Sequence, residues 1–340
     1  MRRAGTLIVG ALAATLAVPV VIGGKDALLQ TLNFPAHGYL ALFAMIVACW
    51  FARALKLQIL LHRLDLRPGF ARIFAISLAT DFAFISTPGG IAGYAAGIYY
   101  VRREGASIGA ATTIAAADQL LDLAFFALVL PLAGMTLLSS ELPAALTMLA
   151  FGASALMIAL GAAVLVARRR IMLWLVGDNA LARRWPNLRR RQQTLHDFLL
   201  SIGAHMRLLA GAGTMNLLAL AGLTAVQWLS RYGALWVVLS MLGHKVSFAL
   251  TLLLQSLVLH AAMWTGVPAG GGSAELGLSA TLAPWVSMSS MATALLLWRA
   301  ATFYLCLIAG AVAISVLAGR RSQPSRTHLA NPKPAEESAA

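Results

Sequence analysis

Long apolar runs separated by short polar breaks dominate the pattern along the chain. Six runs approach or exceed the roughly 20 apolar residues that a helix needs to cross a hydrocarbon core of about 30 Å. They are Thr6–Ile22, Tyr39–Leu61, Ala110–Leu138, Ala144–Ala167, Leu208–Leu229 and Ser289–Leu317. The pattern therefore predicts an all-α, polytopic integral membrane protein with about six full spans.

Two further apolar segments are interrupted by glycine and proline. The first contains STPGGIAGY at Ser86–Tyr94, and the second contains VPAGGGSAE at Val267–Glu275. Because these residues do not continue a helix, the breaks at membrane depth must lie inside protein or along a watery cavity. The flanking arms are Phe70–Ile85 and Ala95–Val101 for the first, and Phe248–Trp264 and Leu276–Val286 for the second. Since these arms are too short to span comfortably, we predict two re-entrant helical hairpins.

The charge distribution predicts how the spans are oriented. The chain has 26 basic and 12 acidic residues, a formal charge of +14, and the basic residues are clustered. Arg2 and Arg3 precede the first run, Arg168–Arg207 holds nine arginines, and Arg320 and Arg321 open the tail. Because cytoplasmic loops are rich in Lys and Arg, both termini are predicted to be cytoplasmic, in a bacterial inner membrane. A cleaved signal peptide is the alternative for the first run, and we favour a retained span.

An internal repeat accompanies this orientation. The pattern Trp-x-x-Arg ends at Arg53 and again at Arg231, and Pro88 and Pro268 are 180 residues apart. We interpret Arg53 and Lys56 as part of a basic cytoplasmic edge, and Arg231 as lying near the corresponding later edge. The charges then make the two halves inverted repeats whose hairpins enter from opposite faces, an arrangement typical of transporters.

The predicted chain has five parts, defined by its apolar runs and charge clusters. They are an N-terminal transmembrane helix (1–37), a first repeat (38–167), a basic cytoplasmic loop (168–207), a second repeat (208–318) and a disordered tail (319–340). We interpret the loop as a topology anchor, with a surface-lying segment against anionic headgroups as the alternative.

Composition excludes several classes of protein. Apolar residues make up 60% of the chain and charged residues 11%, against about 45–50% and 25% in soluble domains. The excess of positive charge is explained by cytoplasmic loops, so nucleic acid is not a predicted partner. Cys49 and Cys306 lie in apolar runs and are interpreted as packing residues. No zinc, P-loop or nucleophile motif is present, so we predict no enzyme and no cofactor.

Five short motifs carry a family resemblance. In order they are STPGG at Ser86–Gly90, VRREGAS at Val101–Ser107, AADQLLDL at Ala116–Leu123, VPAGGGSAE at Val267–Glu275 and LLLWRAATFYL at Leu295–Leu305. Their order and repetition are similar to the flippase-like transmembrane region of the lysylphosphatidylglycerol synthase family, including stand-alone, hopanoid-associated bacterial relatives. The resemblance covers roughly Gly38–Ala318.

The resemblance implies lipid translocation rather than lipid synthesis, because the chain has no counterpart of the synthase's soluble aminoacyl-transferase domain. Two positions depart from the family pattern. Tyr94 follows Gly93 where the family often has glutamate, and Gln119 follows Asp118 where the family has arginine.

Four charged residues inside apolar segments are candidates for function, because intramembrane charges are costly and rare. Glu275 is either a functional or gating group or a cap on the following half-helix. Arg299 either binds a lipid phosphate or neutralises one of the three carboxylates, and we predict that Glu275 and Arg299 share a hydrated site, directly or through a lipid headgroup. Asp118 and Asp122 are four residues apart on one helix face, and we interpret them as structural partners of Arg53 or Arg299.

The remaining candidates shape the backbone of the path. The predicted substrate path comprises Pro88, Gly89, Gly90, Gly93, Asp118, Asp122, Pro268, Gly270, Gly271, Glu275 and Arg299. Asp81 and His260 stand alone in the sequence, and a hydrogen-bonded core histidine is preferred over a proton relay.

The leading hypothesis is an inner-membrane lipid translocase that moves an amphiphilic lipid between leaflets. The resemblance implies an aminoacylated phospholipid, a glycolipid or a hopanoid as the lipid. One alternative is a non-transporting scaffold that binds a lipid-modifying enzyme through Arg168–Arg207, and another is a membrane-embedded lipid transferase. Predicted partners are membrane lipids, with a lipid-modifying enzyme or a second copy of the chain as further candidates.

Overall fold

The computed structural model of the chain describes residues 2–138, 186–211 and 213–319, together with parts of 148–170. Within these ranges the chain forms eleven α-helices and no strand. The helices are α1 (Arg2–Leu32), α2 (Ala36–His62), α3 (Phe70–Ser86), α4 (Ile91–Arg103), α5 (Ile108–Leu138), α6 (Pro186–Ala210), α7 (Thr214–Met241), α8 (Phe248–Met263), α9 (Ser273–Leu282), α10 (Met288–Arg299) and α11 (Leu305–Gly319). The predicted all-α fold is confirmed.

Several helices are long and apolar enough to cross a membrane, which confirms a polytopic membrane protein. Among the described residues they are Ala13–Leu32, Ala36–His62, Ile108–Leu137 and Met288–Gly319. A fifth candidate joins the end of α6 to α7 across a bend of 98°. These correspond to five of the six predicted spans, whereas Ala144–Ala167 is described only in part.

The first apolar helix is kinked close to its predicted boundary. We expected the first span to end at Ile22, and α1 has non-helical backbone at Gly24, with a φ of +57°, before a second helical part continues to Leu32. This second part packs on α10, where Ala27 is fully buried. The hydroxyl of Thr293 donates a hydrogen bond to the carbonyl oxygen of Ala27 at 3.3 Å. Packing against α10 therefore accompanies this second helical part.

The fifth predicted span, Leu208–Leu229, begins later than expected. α6 ends at Ala210, and Gly213 has a φ of +78°, so the chain changes direction before α7 begins. Because such a φ suits glycine and not other residues, the helix cannot run through this position. α6 occupies part of the predicted loop 168–207, and most of residues 168–185 lie outside the described ranges.

Both glycine-proline segments form helical hairpins, as predicted. In the first hairpin, α3 and α4 run antiparallel, and an ion pair of 2.6 Å between Arg72 Nε and Glu104 Oε1 joins their far ends. In the second hairpin, α8 and α9 pack so closely that a Cβ at Gly277 would lie 2.7 Å from Val258. The four arms contain 10 to 17 residues, or about 15–26 Å of helix.

The two hairpin turns lie against each other. Each turn begins with proline, Pro88 or Pro268, and makes a single 3₁₀ turn. Gly89 and Gly90 have φ values of +61° and +70°, which glycine adopts without steric cost. In the second turn Ala269 adopts a φ of +49°, an unfavourable conformation for a residue with a Cβ.

Each hairpin packs against a helix from the other half of the chain. α2 packs along α7 at the centre of the molecule, while α3 packs on α11 and α8 packs on α5. The α3–α11 contact is close, since a Cβ at Gly310 would lie 2.8 Å from the carbonyl oxygen of Leu78. Small residues allow such close approach between apolar helices. Each hairpin therefore packs on a long helix of the opposite half.

Candidate substrate cavity

A cavity of about 710 Å³ lies between the two hairpin turns and helices α2, α5, α7 and α10. This volume falls in the range of small-molecule binding sites. Its polar lining residues are Arg53, Asp81, Gln119, Asp122, Gln227, Arg231, Gln255, His260, Arg299 and Thr302. Between them lie aromatic and aliphatic side chains that include Phe84, Phe126, Trp228, Tyr232, Trp298 and Phe303. The cavity thus combines charge with an apolar wall.

One ionic group joins the two halves at this cavity. Arg53 on α2 forms an ion pair with Asp81 on α3, and Arg231 on α7 places its Nη1 3.8 Å from Asp81 Oδ2. Asp81 is 3% exposed. Our interpretation of Arg53 and Arg231 as edge residues was therefore wrong, as was our view of Asp81 as a lone residue. The helices bury these charges because the carboxylate provides a counter-charge.

A second ionic group lies between α2, α5 and α7. Lys56 is fully buried, and its Nζ lies 2.7 Å from Asp118 Oδ1 and 3.0 Å from Asp122 Oδ1. Trp228 Nε1 also donates a hydrogen bond of 2.9 Å to Asp122. Asp118 and Asp122 do share a helix face, but their predicted partners, Arg53 and Arg299, were wrong. Lys56 takes that place because the face of α2 that carries it packs against α5.

The third ionic group belongs to the second half alone. Arg299 Nε donates to Glu275 Oε1 at 2.5 Å, and Glu275 has no exposed surface. The other carboxylate oxygen accepts a hydrogen bond from Gly272 N at 2.8 Å, at the start of α9. Glu275 and Arg299 therefore share a site through a direct contact, as predicted, although Glu275 itself is fully buried. Glu275 also caps the half-helix, which is the structural one of its two predicted roles.

Arg299 is held by aromatic rings as well as by its carboxylate. Its guanidinium carbon lies 4.5 Å from the centroid of the Trp298 ring and 5.4 Å from that of Phe303. Its Nη2 donates to the carbonyl oxygen of Ala269 at 3.4 Å, across the second turn. A π-helical turn, Ala300–Tyr304, follows directly. Such turns recur at functional sites, because they change which residues face inward.

The three ionic groups balance in charge. They contain four basic residues, Arg53, Lys56, Arg231 and Arg299, and four acidic residues, Asp81, Asp118, Asp122 and Glu275. An unpaired charge at the bilayer centre costs about 2.5–3.5 kcal/mol on insertion scales, and pairing offsets part of that cost. The cavity wall itself carries three of the basic and two of the acidic residues.

Several buried polar atoms on the cavity wall have no hydrogen-bond partner among the described residues. They are Asp81 Oδ2, Gln227 Oε1, Gln255 Oε1, Gln255 Nε2 and Trp298 Nε1. Gln255 is fully buried. Leaving a buried donor or acceptor unsatisfied costs about 1–3 kcal/mol. These atoms come from four helices around the cavity, α3, α7, α8 and α10, and among them Asp81 Oδ2 has the nearby charge of Arg231.

The predicted path residues lie at several distances from the cavity. Gly89, Gly90, Asp122 and Arg299 line it, and Gly93 and Asp118 line an adjoining groove. Pro88 is exposed at the tip of the first turn, whereas Pro268, Gly270, Gly271 and Glu275 are buried behind the wall. Their assignment to a substrate path stays a prediction.

Two residue types match their expected structural roles. His260 bonds through Nδ1 to the carbonyl oxygen of Ser256 at 2.7 Å and packs edge-on against Phe126, with the ring centroids 5.4 Å apart. It nevertheless contributes to the cavity wall. Cys49 and Cys306 are buried free thiols, as expected for packing residues.

Sequence reasoning missed Arg53, Arg231 and Gln255 as cavity residues. The Trp-x-x-Arg repeat was a usable signal, because a repeated arginine inside an apolar run is more than a topology mark. Gln255 offered no pattern, since it is a single amide in an otherwise apolar helix.

This arrangement defines a multi-pass α-helical membrane protein with an ionic cavity enclosed between two helical hairpins. The chain belongs to the family described as the Lysylphosphatidylglycerol synthase TM region, whose profile matches residues 4–310. The family assignment confirms the resemblance and indicates a membrane lipid-related role. The transmembrane region of this family is typically its non-catalytic, flippase-like part. A comparison with curated proteins finds no significant match.

Proposed function

We propose that this protein is a lipid translocase that carries the headgroup of an amphiphilic lipid through the cavity while the tails stay in an apolar environment. The observation that carries the proposal is the lining of the cavity, which combines three arginines with aromatic and aliphatic side chains and so offers an amphiphile both polar and apolar contacts. Apolar side chains between the arginines suit the part of the lipid next to the headgroup.

The arginines on the wall favour a headgroup that contains phosphate. A guanidinium has five N–H donors in a fixed fork, which matches phosphate oxygens. Arg231 uses few of its donors, since its contacts are a hydrogen bond of 3.4 Å to the carbonyl oxygen of Thr302 and the long approach to Asp81. Its side chain is 22% exposed. Arg231 is therefore the best placed of the three to exchange its protein contacts for a ligand.

The packing of the halves supports alternating access. Each hairpin packs on a long helix of the other half, and the turns meet at the cavity. Inverted repeats with broken helices at a central site are a recurrent transporter design. The proposal includes this inversion, together with cytoplasmic termini and residence in the bacterial inner membrane, both of which follow from the basic clusters in the sequence.

The test uses purified protein in liposomes that contain phosphatidylglycerol labelled on its headgroup side with a fluorophore that an external reductant quenches. We expect the protein to speed exchange of the inner-leaflet label, and Arg231→Gln to slow that exchange by about tenfold. The loss of one charged hydrogen bond, about 1.5–3 kcal/mol, corresponds to a change of this size or more.

The matched control is Arg67→Gln, because Arg67 is exposed outside the cavity. It should exchange lipid at the wild-type rate. If the folded wild type exchanges lipid no faster than protein-free liposomes, translocation is excluded for this probe. Capture of a lipid-modifying enzyme without exchange would favour the scaffold instead, whose proposed contact, Arg168–Arg207, is described only in part.

A further inference from the structure

A narrow groove of about 60 Å³ leads away from the cavity between α2, α3, α4 and α5. The groove and the cavity share four lining residues, Arg53, Phe84, Tyr94 and Gln119. They are therefore neighbouring spaces that meet at one polar junction. A molecule in the cavity could extend into the groove through this junction without leaving the protein.

The groove changes from polar to apolar along its length. At the junction, the hydroxyl of Tyr94 donates to Gln119 Oε1 at 2.9 Å, beside Arg53. At the far end the wall is formed by Leu60 and Ile114, which are 2% and 3% exposed, together with equally buried alanine and valine side chains. Asp118, which is paired with Lys56, and the hydroxyl residues Ser77 and Thr80 also line the groove. The wall is therefore polar at the junction and apolar at the far end, which fits an amphiphile better than a wholly polar solute.

The groove is long enough for a segment of hydrocarbon chain. On α5 its lining runs from Ala111 to Gln119, which is about 12 Å at 1.5 Å per residue. On α4 it runs from Gly93 to Val101, about the same length. Both helices line the groove over this distance, and its volume of about 60 Å³ limits what it can hold to a short segment of a chain.

Small residues keep this groove open. Gly97 and Ala115 lie on facing helices, and a Cβ at Gly97 would lie 3.5 Å from Thr80, an ordinary contact distance. Gly277 in the second hairpin has no such space beside it, since a Cβ there would lie 2.7 Å from Val258. The space therefore belongs to the first hairpin.

We infer that this groove binds one acyl or alkyl chain of the lipid whose headgroup occupies the cavity. The inference rests on the proposed function for the identity of the guest, and it adds a tail-binding site that would make recognition depend on the chain as well as on the headgroup. Arg53 lies at the junction and reaches both spaces, so it marks the boundary between headgroup and chain.

The experiment is photolabelling of the full-length protein in liposomes with phosphatidylglycerol that carries a diazirine in the middle of one acyl chain. Peptide mass spectrometry should place the label on groove residues of α3, α4 or α5. Ala115→Leu should lower that labelling by about tenfold, the change that loss of about two buried methylene contacts produces. Gly97→Leu fills the groove from the opposite wall and should act in the same way.

Matched controls separate occlusion from general damage. Ala124→Leu lies on α5 and Ala95→Leu on α4, both at exposed positions, and both variants should keep wild-type labelling. Only variants that elute as folded protein are scored. Equal labelling in folded Ala115→Leu and Gly97→Leu, or labels confined to exposed residues, would overturn the tail site.

A second probe tests the link between headgroup and chain. Diacylglycerol with the same diazirine lacks the phosphate headgroup, so it should label the groove much less than phosphatidylglycerol does. Equal labelling by both probes would overturn the coupled site. Because photolabelling reports occupancy and not movement, groove labelling without leaflet exchange would remove translocation while the tail site stands. Exchange without groove labelling would remove the tail site while translocation stands.

Discussion

The two hairpins use their carboxylates in different ways. In the first hairpin, Asp81 lies in the arm and faces arginines from both halves, Arg53 and Arg231. In the second, Glu275 lies beside the turn and is held by its own half, through Arg299 and the backbone of Gly272. The carboxylate of the first hairpin therefore links the two halves across the cavity, whereas the carboxylate of the second hairpin is paired within its own half.

Their glycines also meet different neighbours. A Cβ at Gly93 would lie 2.2 Å from the Phe84 ring, a side chain that lines the cavity. A Cβ at Gly270 would meet Ala262, 2.6 Å from its Cβ and 3.3 Å from its backbone. The Phe84 side chain can be displaced by a change of its χ1 angle, which moves Cγ, but a packed helix backbone cannot move as easily. We therefore expect the first hairpin to respond to ligand and the second to act as the fixed support.

The largest expected loss of stability comes from removing one partner of the ion pair between Glu275 and Arg299. Arg299→Met leaves Glu275 as a fully buried, unpaired carboxylate, and loss of one partner of such a pair destabilises a protein by about 3–5 kcal/mol. Thermal unfolding in detergent measures the loss. Adding Glu275→Gln should recover most of it, because the amide oxygen can still accept from Gly272 N and no buried charge remains.

The double variant is the decisive comparison for this pair. Strict additivity of the two single changes would mean that Glu275 and Arg299 act separately, against the direct contact in the structure. Arg67→Met serves as the control, since it removes an exposed arginine and should leave stability within about 0.5 kcal/mol of the wild type.

The second-largest loss of stability is expected for a change in the turn of the second hairpin. Gly270→Ala places a Cβ on a residue whose φ is +65° and against Ala262. The conformation costs about 1–2 kcal/mol and the overlap about 1–3 kcal/mol, so unfolding should become easier by about 2–5 kcal/mol. Gly222→Ala is the matched control, because a Cβ there meets nothing within 4 Å. Equal stability of the two variants would mean that the second turn is not rigid.

Much of this fold follows from the apolar pattern of the chain. The lengths of the runs locate the long helices, and glycine with proline locates both hairpin turns, because these residues decide backbone geometry locally. The pairing of Glu275 with Arg299 follows from the cost of isolated charges in the membrane. These properties belong to single segments or to charges that need a partner somewhere nearby.

The partners of α2 could not be predicted in this way. Arg53 and Lys56 follow a long apolar run, as residues at a membrane edge also do. Whether they face a headgroup region or a carboxylate depends on which helices pack around α2, and that is a long-range property. The groove beside Gly97 could not be predicted from the sequence for the same reason, because it is formed by residues of several helices.

The third-largest loss of stability is expected when Asp81, which links the two halves, is neutralised. Asp81→Asn removes the counter-charge of Arg53 and Arg231, whose side chains are 13% and 22% exposed. Because both guanidinium groups can reach the cavity, we expect a moderate loss of stability, about 1–3 kcal/mol, less than for the sealed pair. Asp65→Asn, at an exposed position, is the control. A loss as large as that of Arg299→Met would contradict the proposed contrast between the hairpins.

The smallest expected change in stability is that of Gly93→Ala in the first hairpin. Gly93 lies within α4, where alanine favours the helix by about 1 kcal/mol over glycine. The new Cβ must displace the Phe84 ring, which offsets that gain, so unfolding should stay within about 1 kcal/mol of the wild type. Lipid exchange should nevertheless fall, because the displaced ring enters the cavity beneath Arg53, whose guanidinium carbon lies 5.5 Å from the ring centroid. Adding Phe84→Leu should restore exchange by removing the ring. Normal exchange in Gly93→Ala, or no recovery in the double variant, would show that the position of this ring does not control the cavity.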